Sequence, residues 1–189
     1  MRGIILSVAI ALLIIVGQPV GASIQLPPPG NTVVACDFVT GGGFIVGSGT
    51  SDLAAGAKAN FAVGGGVKNG AFWGHLEYND HSTSPPLRVH GTSVTGYAFG
   101  PNPATDRIIT GTAQVNGADG FTYAVQVTDG GEPGRGVDRF SIDVFDATAA
   151  EIYEAGFTYG DGPIAGGNIQ LHPGNRSSTP PSGFTCAAS

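Results

Sequence analysis

Apolar and polar residues alternate along much of this chain. In "FTYAVQVTD", Phe121, Tyr123, Val125 and Val127 take one face, and Thr122, Ala124, Gln126 and Thr128 the other. "DRFSIDVFD" sets Phe140, Ile142 and Val144 against Asp143, with Phe145 breaking the polar side. "AFWGHLEYND" sets Phe72, Gly74, Leu76 and Tyr78 against Trp73, His75, Glu77 and Asn79. A period of two is the signature of a half-buried strand. Turn residues separate the runs: Asn69-Gly70, Asn116-Gly117 with Asp119-Gly120, Pro101-Asn102-Pro103 and Asp161-Gly162-Pro163. Asn-Gly suits a tight hairpin because both residues tolerate positive φ. Eleven strand windows fall near 35–40, 43–47, 57–63, 71–79, 86–91, 93–99, 106–115, 120–128, 138–146, 150–157 and 164–172, which, allowing for one or two spurious ones, gives about nine or ten strands. At 147–155, "ATAAEIYEA" has a helix-friendly composition, but Ile152 and Tyr153 fit a strand.

Short, evenly spaced strands joined by hairpins predict an all-β fold: a single antiparallel β-barrel, closed or nearly closed, with a β-sandwich as the alternative. The glycine runs "GGGF" at 41–44 and "GGGV" at 64–67 favour the barrel, since glycine permits the bends by which a sheet curls. They form neither a dinucleotide fingerprint nor a phosphate loop, which removes a nucleotide-binding reading.

The ends of the chain read differently. "MRGIILSVAIALLIIVGQPVGAS" has a basic Arg2, an apolar run over 4–16 and small residues before position 23, which predicts a signal peptide over 1–22. As a helix the run would rise only about 20 Å, short of a hydrocarbon core of roughly 30 Å. The expected domains are then an extended proline-rich lead-in over 23–33, one all-β domain over 34–186 and a surface tail over 173–189. Cys36 and Cys186 would close a loop of 149 residues, and in an exported chain they are expected to form a disulfide. With Arg2 removed, seven basic and fourteen acidic residues leave a net charge of −7. That balance disfavours nucleic acid and anionic lipid as partners, and the mature chain is expected not to insert into a membrane. The expected location is secreted, extracellular or periplasmic.

Three groups of residues are candidates for chemistry. In "TDGGEPGRGVD" over 128–138, Asp129, Glu132 and Asp138 offer oxygens to a calcium ion. The competing reading is a structural turn in which Arg135 pairs with an acidic neighbour. Trp73, His75 and Glu77 share the polar side of one strand and could bind a ligand such as a sugar. Tyr97, Tyr153 and Tyr159 are the other rings weighed for a sugar platform, although alternation places most aromatics inward. His75, Glu77, His81 and His90, with Ser82, Thr83 and Ser84 nearby, could form a zinc or hydrolytic site, but they lack the spacing of H-E-x-x-H and the context of G-x-S-x-G.

"VTGGGFI" at 39–45, "AKANFAVGGGVKNGAFWGHLEYNDH" at 57–81 and "GTAQVNGADGFTYAVQVTDGGEPGRGVDRFSIDVFD" at 111–146 resemble the post-COAP domain of exported bacterial proteins, over about 39–157. The resemblance implies an all-β accessory module without an assigned catalytic activity. The expectation is therefore a secreted, non-enzymatic β-module, structural or binding, with a cell-surface or glycan partner. The alternatives are a small ligand- or carbohydrate-binding protein, and a small secreted hydrolase using residues around 75–81.

Overall fold

The computed structural model describes residues 37–175 and 177–184. The predicted signal peptide, the lead-in, Cys36 and Cys186 lie outside the described residues. Nine strands follow one another: β1 Phe38–Val46, β2 Lys58–Lys68, β3 Ala71–Asp80, β4 Leu87–Phe99, β5 Asp106–Val115, β6 Ala118–Thr128, β7 Arg139–Phe145, β8 Glu151–Gly156 and β9 Gly166–His172. A 3-10 turn, Phe157–Tyr159, precedes β9. Tyr153 is buried in β8, so the 147–155 segment carries a strand and no helix.

All pairings are antiparallel in one sheet of order β8-β7-β6-β5-β4-β3-β2-β1-β9. The first and last strands pair, Phe38 opposite His172 through Phe44 opposite Gly166. The sheet is strongly curled. Phe61 of β2 stacks on Phe140 of β7 at 4.1 Å, although five strand steps separate them along the sheet. Tyr78 of β3 likewise meets Tyr153 of β8 at 5.7 Å. The inward positions of the alternating runs fill the space between: Leu76, Tyr123, Val125, Val127, Phe140 and Ile142 are all at most 2% exposed. Each such side chain contributes about 1.5–3 kcal/mol of burial energy.

Two pairs of expected strands merge. Residues 38–46 form one strand because Gly41 and Gly43 let β9 approach: a Cβ at Gly43 would lie 2.1 Å from the Gly166 carbonyl oxygen. Residues 87–99 also form one strand, with register shifts between Gly91 and Ser93 and between Val94 and Gly96. Bulges of this kind bend a strand without ending it.

No ladder joins the two sheet edges, β8 and β9; loops fill the gap. Asp161 accepts from the amides of Ser48 and Gly156, both at 2.8 Å, and from the Ser48 and Ser51 hydroxyls at 2.8 and 2.5 Å. One carboxylate thereby ties the β1–β2 loop to the end of β8. Tyr159 covers the outer side of β7, where its hydroxyl donates to Asp143 at 2.5 Å. Asp143 is consequently fully buried instead of solvated, as strand alternation alone would place it.

The tail docks on the β2–β3 hairpin. Asn69 N donates to Ser177 O at 2.7 Å, Gly70 N to Thr179 O at 2.9 Å, and the Phe184 ring meets Phe72 edge-on at 5.2 Å. Asp37 precedes Phe38, which pairs with Gly66 at the same end of the sheet. The described neighbours of Cys36 and Cys186 thus lie at one end of the fold.

Candidate functional site

β3 is anchored by Leu76 and Tyr78, both fully buried, which turns His75 and Glu77 outward. Register then decides what lies beside them. Glu77 is opposite Ala62 of β2 and His90 of β4, and His90 is opposite Gln114 of β5. One step along, Asn79 is opposite Arg88. Glu77 Oε1 accepts from His90 Nδ1 at 2.5 Å, and the two side chains are 51% and 57% exposed. Asn116 Oδ1 accepts from Arg88 N at 2.9 Å, which fixes that amide beside the strand. His81 Nε2 lies 3.2 Å from Asn60 Oδ1.

These side chains share one open depression of about 920 Å³, lined by Glu77, Asn79, His81, Arg88, His90 and Gln114 and walled by Pro85 and Pro86. Of the residues expected from sequence, Glu77, His81 and His90 come together here. His75 stands apart, against Gly64. Trp73 lies four residues from Glu77, about 13 Å along the strand. Its half-buried ring packs against Phe38 at 5.7 Å, and Phe38 stacks on His172 at 4.6 Å. Arg88, Gln114 and Asn116 escaped the sequence reading. The available signal is that Arg88 and Gln114 sit on the polar side of alternating strands and Asn116 in the turn after β5, but which strands lie side by side is set by the hairpins.

Two of the three nucleophile candidates, Ser82 and Thr83, are otherwise engaged. The Ser82 hydroxyl donates to Asp80 at 2.6 Å and the Thr83 hydroxyl to the Pro85 carbonyl at 2.9 Å. Among the described residues, no group of three or more His, Cys, Asp and Glu converges as metal ligands would. Tyr97 and Tyr153 are core residues and Tyr159 is buried on the outer side of β7; their hydroxyls donate to Asp37, Asp80 and Asp143. Burial holds all three phenols far above their ordinary pKa range, so they stay protonated donors.

The 128–138 loop is organised by β9. Asp138 is fully buried; its Oδ1 accepts from Gly130 N at 2.8 Å and its Oδ2 from Ile169 N at 2.6 Å. Burial raises its pKa, and those two amides oppose the rise. Asp129 accepts from Gly131 N and Leu171 N, and Glu132 from Asn168 Nδ2. The expectation that Arg135 pairs with one of these acids is corrected: Arg135 is exposed and forms no ion pair among the described residues. The acids meet N–H groups of the loop's own Gly130 and Gly131 and of Asn168, Ile169 and Leu171, which β9 brings to the loop.

A second acidic group lies on β8. Burial, then the Glu151 hydrogen bond and charge, then Asp52 and Asp143, push the Glu154 carboxyl up to about 7 from 4.5. A raised folded-state pKa means that the folded chain holds this proton more tightly. The resulting stability is fully present below about pH 4.5 and is lost as pH rises through about 7. We expect a higher urea midpoint at pH 5 than at pH 8, and a smaller difference in Glu154→Gln. An equal difference in both proteins would refute the assignment.

No family model matches the chain, and neither a curated protein nor a solved structure matches it.

Proposed function

We propose that this chain is an exported, non-catalytic binding module that takes a carbohydrate or similarly hydroxyl-rich ligand on the outer side of β3, β4 and β5. The observation that carries this reading is the depression in which Glu77, Asn79, Arg88, His90 and Gln114 present donors and acceptors in register across three strands. Such a surface can hydrogen-bond several hydroxyls at once, while the two prolines give it an apolar wall. Export rests on the signal-peptide pattern and on the resemblance to post-COAP modules. The non-catalytic reading rests on the Ser82 and Thr83 hydroxyls, which are bonded to partners other than histidine.

The test is a glycan array probed with the chain lacking residues 1–22, followed by calorimetry on any hit. Arg88→Ala with Gln114→Ala should weaken binding by about tenfold or more, since each removes a hydrogen bond worth about 0.5–1.5 kcal/mol. Trp73→Ala should weaken it less, because Trp73 stands about 13 Å along β3 from Glu77 and does not line the depression. Binding unchanged in the double variant would place the site elsewhere. Release of new sugar ends from a bound polymer would overturn the non-catalytic reading.

A further inference from the structure

β9 is an edge strand. One side pairs with β1, and on the other side the N–H groups of alternate residues point away from the sheet. Left open, such an edge is a template for another chain. Here Ile169 N donates to Asp138 Oδ2 at 2.6 Å, and Leu171 N donates to Asp129 Oδ2 at 2.8 Å. The two amides are two residues apart, the spacing at which a neighbouring strand would engage them. The two carboxylates flank the 130–137 stretch of the β6–β7 loop. Their other oxygens accept from the loop's own Gly130 and Gly131 amides, which holds each carboxylate in place. Between them, Asn168 of β9 accepts from Gly134 N at 2.9 Å and donates to Glu132 Oε1 at 2.8 Å. The loop therefore follows β9 without being a strand. It meets outward N–H groups with side-chain oxygens and presents no new edge behind them.

The β9 sequence explains why such a cover is needed. "GGNIQLH" contains no Asp, Glu, Lys, Arg or Pro, the residues that ordinarily discourage edge pairing. The opposite edge has a cover of its own: Asp52 N donates to Glu154 O at 3.1 Å, and Glu154 N donates to Asp52 Oδ2 at 2.9 Å.

We propose that the 129–138 loop is an edge guard, in which Asp129 and Asp138 occupy the N–H positions that β9 of a second copy would otherwise engage. Removing them turns β9 into a self-pairing edge. A second copy is the fitting occupant because antiparallel pairing of β9 with itself about a two-fold axis gives both copies the same donors and acceptors, a self-complementary contact that closes as a dimer.

The test uses Asp129→Ala and the double variant Asp129→Ala/Asp138→Ala, with Glu132→Ala as a control that leaves the β9 amides covered. Hydrogen exchange is read at Ile169 and Leu171, with Val125 and Ile142 reporting on the central strands. Mass in solution is read from micromolar to millimolar protein. In the double variant, exchange at the two β9 amides should quicken by about tenfold or more while the central amides stay protected. A dimer should also grow in with concentration. Should the central amides of the double variant lose protection too, Asp129→Ala alone decides, with only Leu171 uncovered and a weaker dimer expected. Adding Leu171→Pro to Asp129→Ala removes the outward donor at an edge position where proline is tolerated and should restore the monomer. A variant that stays monomeric with its central strands intact overturns the proposal. So does a dimer that survives Leu171→Pro.

Discussion

Arg107→Ala should lower the free energy of unfolding by about 3–5 kcal/mol, the range for breaking one partner out of a buried ion pair. Arg107 projects inward near the start of β5, where its side chain is 4% exposed and that of Asp37 is 18% exposed. Its guanidinium donates through Nε to Asp37 Oδ1 at 3.1 Å and through Nη2 to Asp37 Oδ2. Nη1 donates to the carbonyls of Pro103 and Asp106 at 2.8 and 2.6 Å. The Phe99 ring lies 4.7 Å away, and the Tyr97 hydroxyl donates to Asp37 at 3.0 Å. Burial opposes the charge on Arg107, but Asp37 outweighs it and holds the pKa above its ordinary value. Truncation would leave the Asp37 carboxylate with only a tyrosine hydroxyl and the Pro103 carbonyl without its arginine donor, while the Asp106 carbonyl keeps the Gly100 amide at 3.1 Å. The desolvation cost of each orphaned group falls on the folded state.

Urea denaturation of the two single variants and of Arg107→Ala/Asp37→Ala forms a cycle that isolates the pair. Because the double variant removes both charges, it should cost less than the sum of the singles, with a coupling within about 0.5–3 kcal/mol. Arg107→Lys should recover only part of the loss, since an ammonium cannot span both carboxylate oxygens and the two carbonyls together. Full stability in Arg107→Ala would show the pair to be dispensable.

Arg107 also shows where sequence reading stops. In "DRIITGTAQV" the adjacent Ile108 and Ile109 obscure which face is inward, so a charged residue inside the curl gives no local signal. Its partner Asp37 stands seventy residues earlier. β6, β7 and the second half of β3 are legible because each alternates, and the structure buries their inward residues from Tyr123, Phe140 and Leu76 onward, although Ala124, Gln126, Ser141 and Asp143 on the other side are covered too. The sequence divides β1 at Gly41-Gly42 and β4 at Thr92, where the structure runs on, since close approach of β9 and bulges against β5 are tertiary facts. The same limit applies to the binding surface. The period of two placed Trp73, His75 and Glu77 on one face, whereas Arg88 and Gln114 joined Glu77 through pairing registers that no single strand encodes. It applies again to Asp129 and Asp138, whose partners lie on β9, thirty to forty residues onward.

Glycine itself separates local from tertiary causes, and Gly111→Ala is the sharpest case. Gly111 faces inward in β5, opposite Val94 and Tyr123. The two bulges of β4 lean that strand over it. A Cβ at Gly111 would lie 2.0 Å from the Ser93 carbonyl oxygen and 2.6 Å from two atoms of the Tyr123 ring. The first obstacle is backbone held in the β4–β5 ladder, and the second is a ring only 2% exposed. Neither can step aside cheaply, so one added methyl should cost at least the upper end of the overpacking range, about 3 kcal/mol. Gly42 is the matched comparison on the outer side of β1. A Cβ there would meet nothing closer than 3.4 Å, and no unusual φ is required. Gly42→Ala should therefore leave stability unchanged or raise it by about 0.4–1 kcal/mol, because alanine restricts the unfolded chain more than glycine does. Thermal unfolding of the two variants beside the parent decides the matter. If both glycines were present only as flexible spacers, the two substitutions would shift Tm alike. If close approach of β4 is the reason for Gly111, only Gly111→Ala collapses the transition, and trimming the obstructing ring with Tyr123→Ala should recover no more than part of it, since the Ser93 carbonyl would remain.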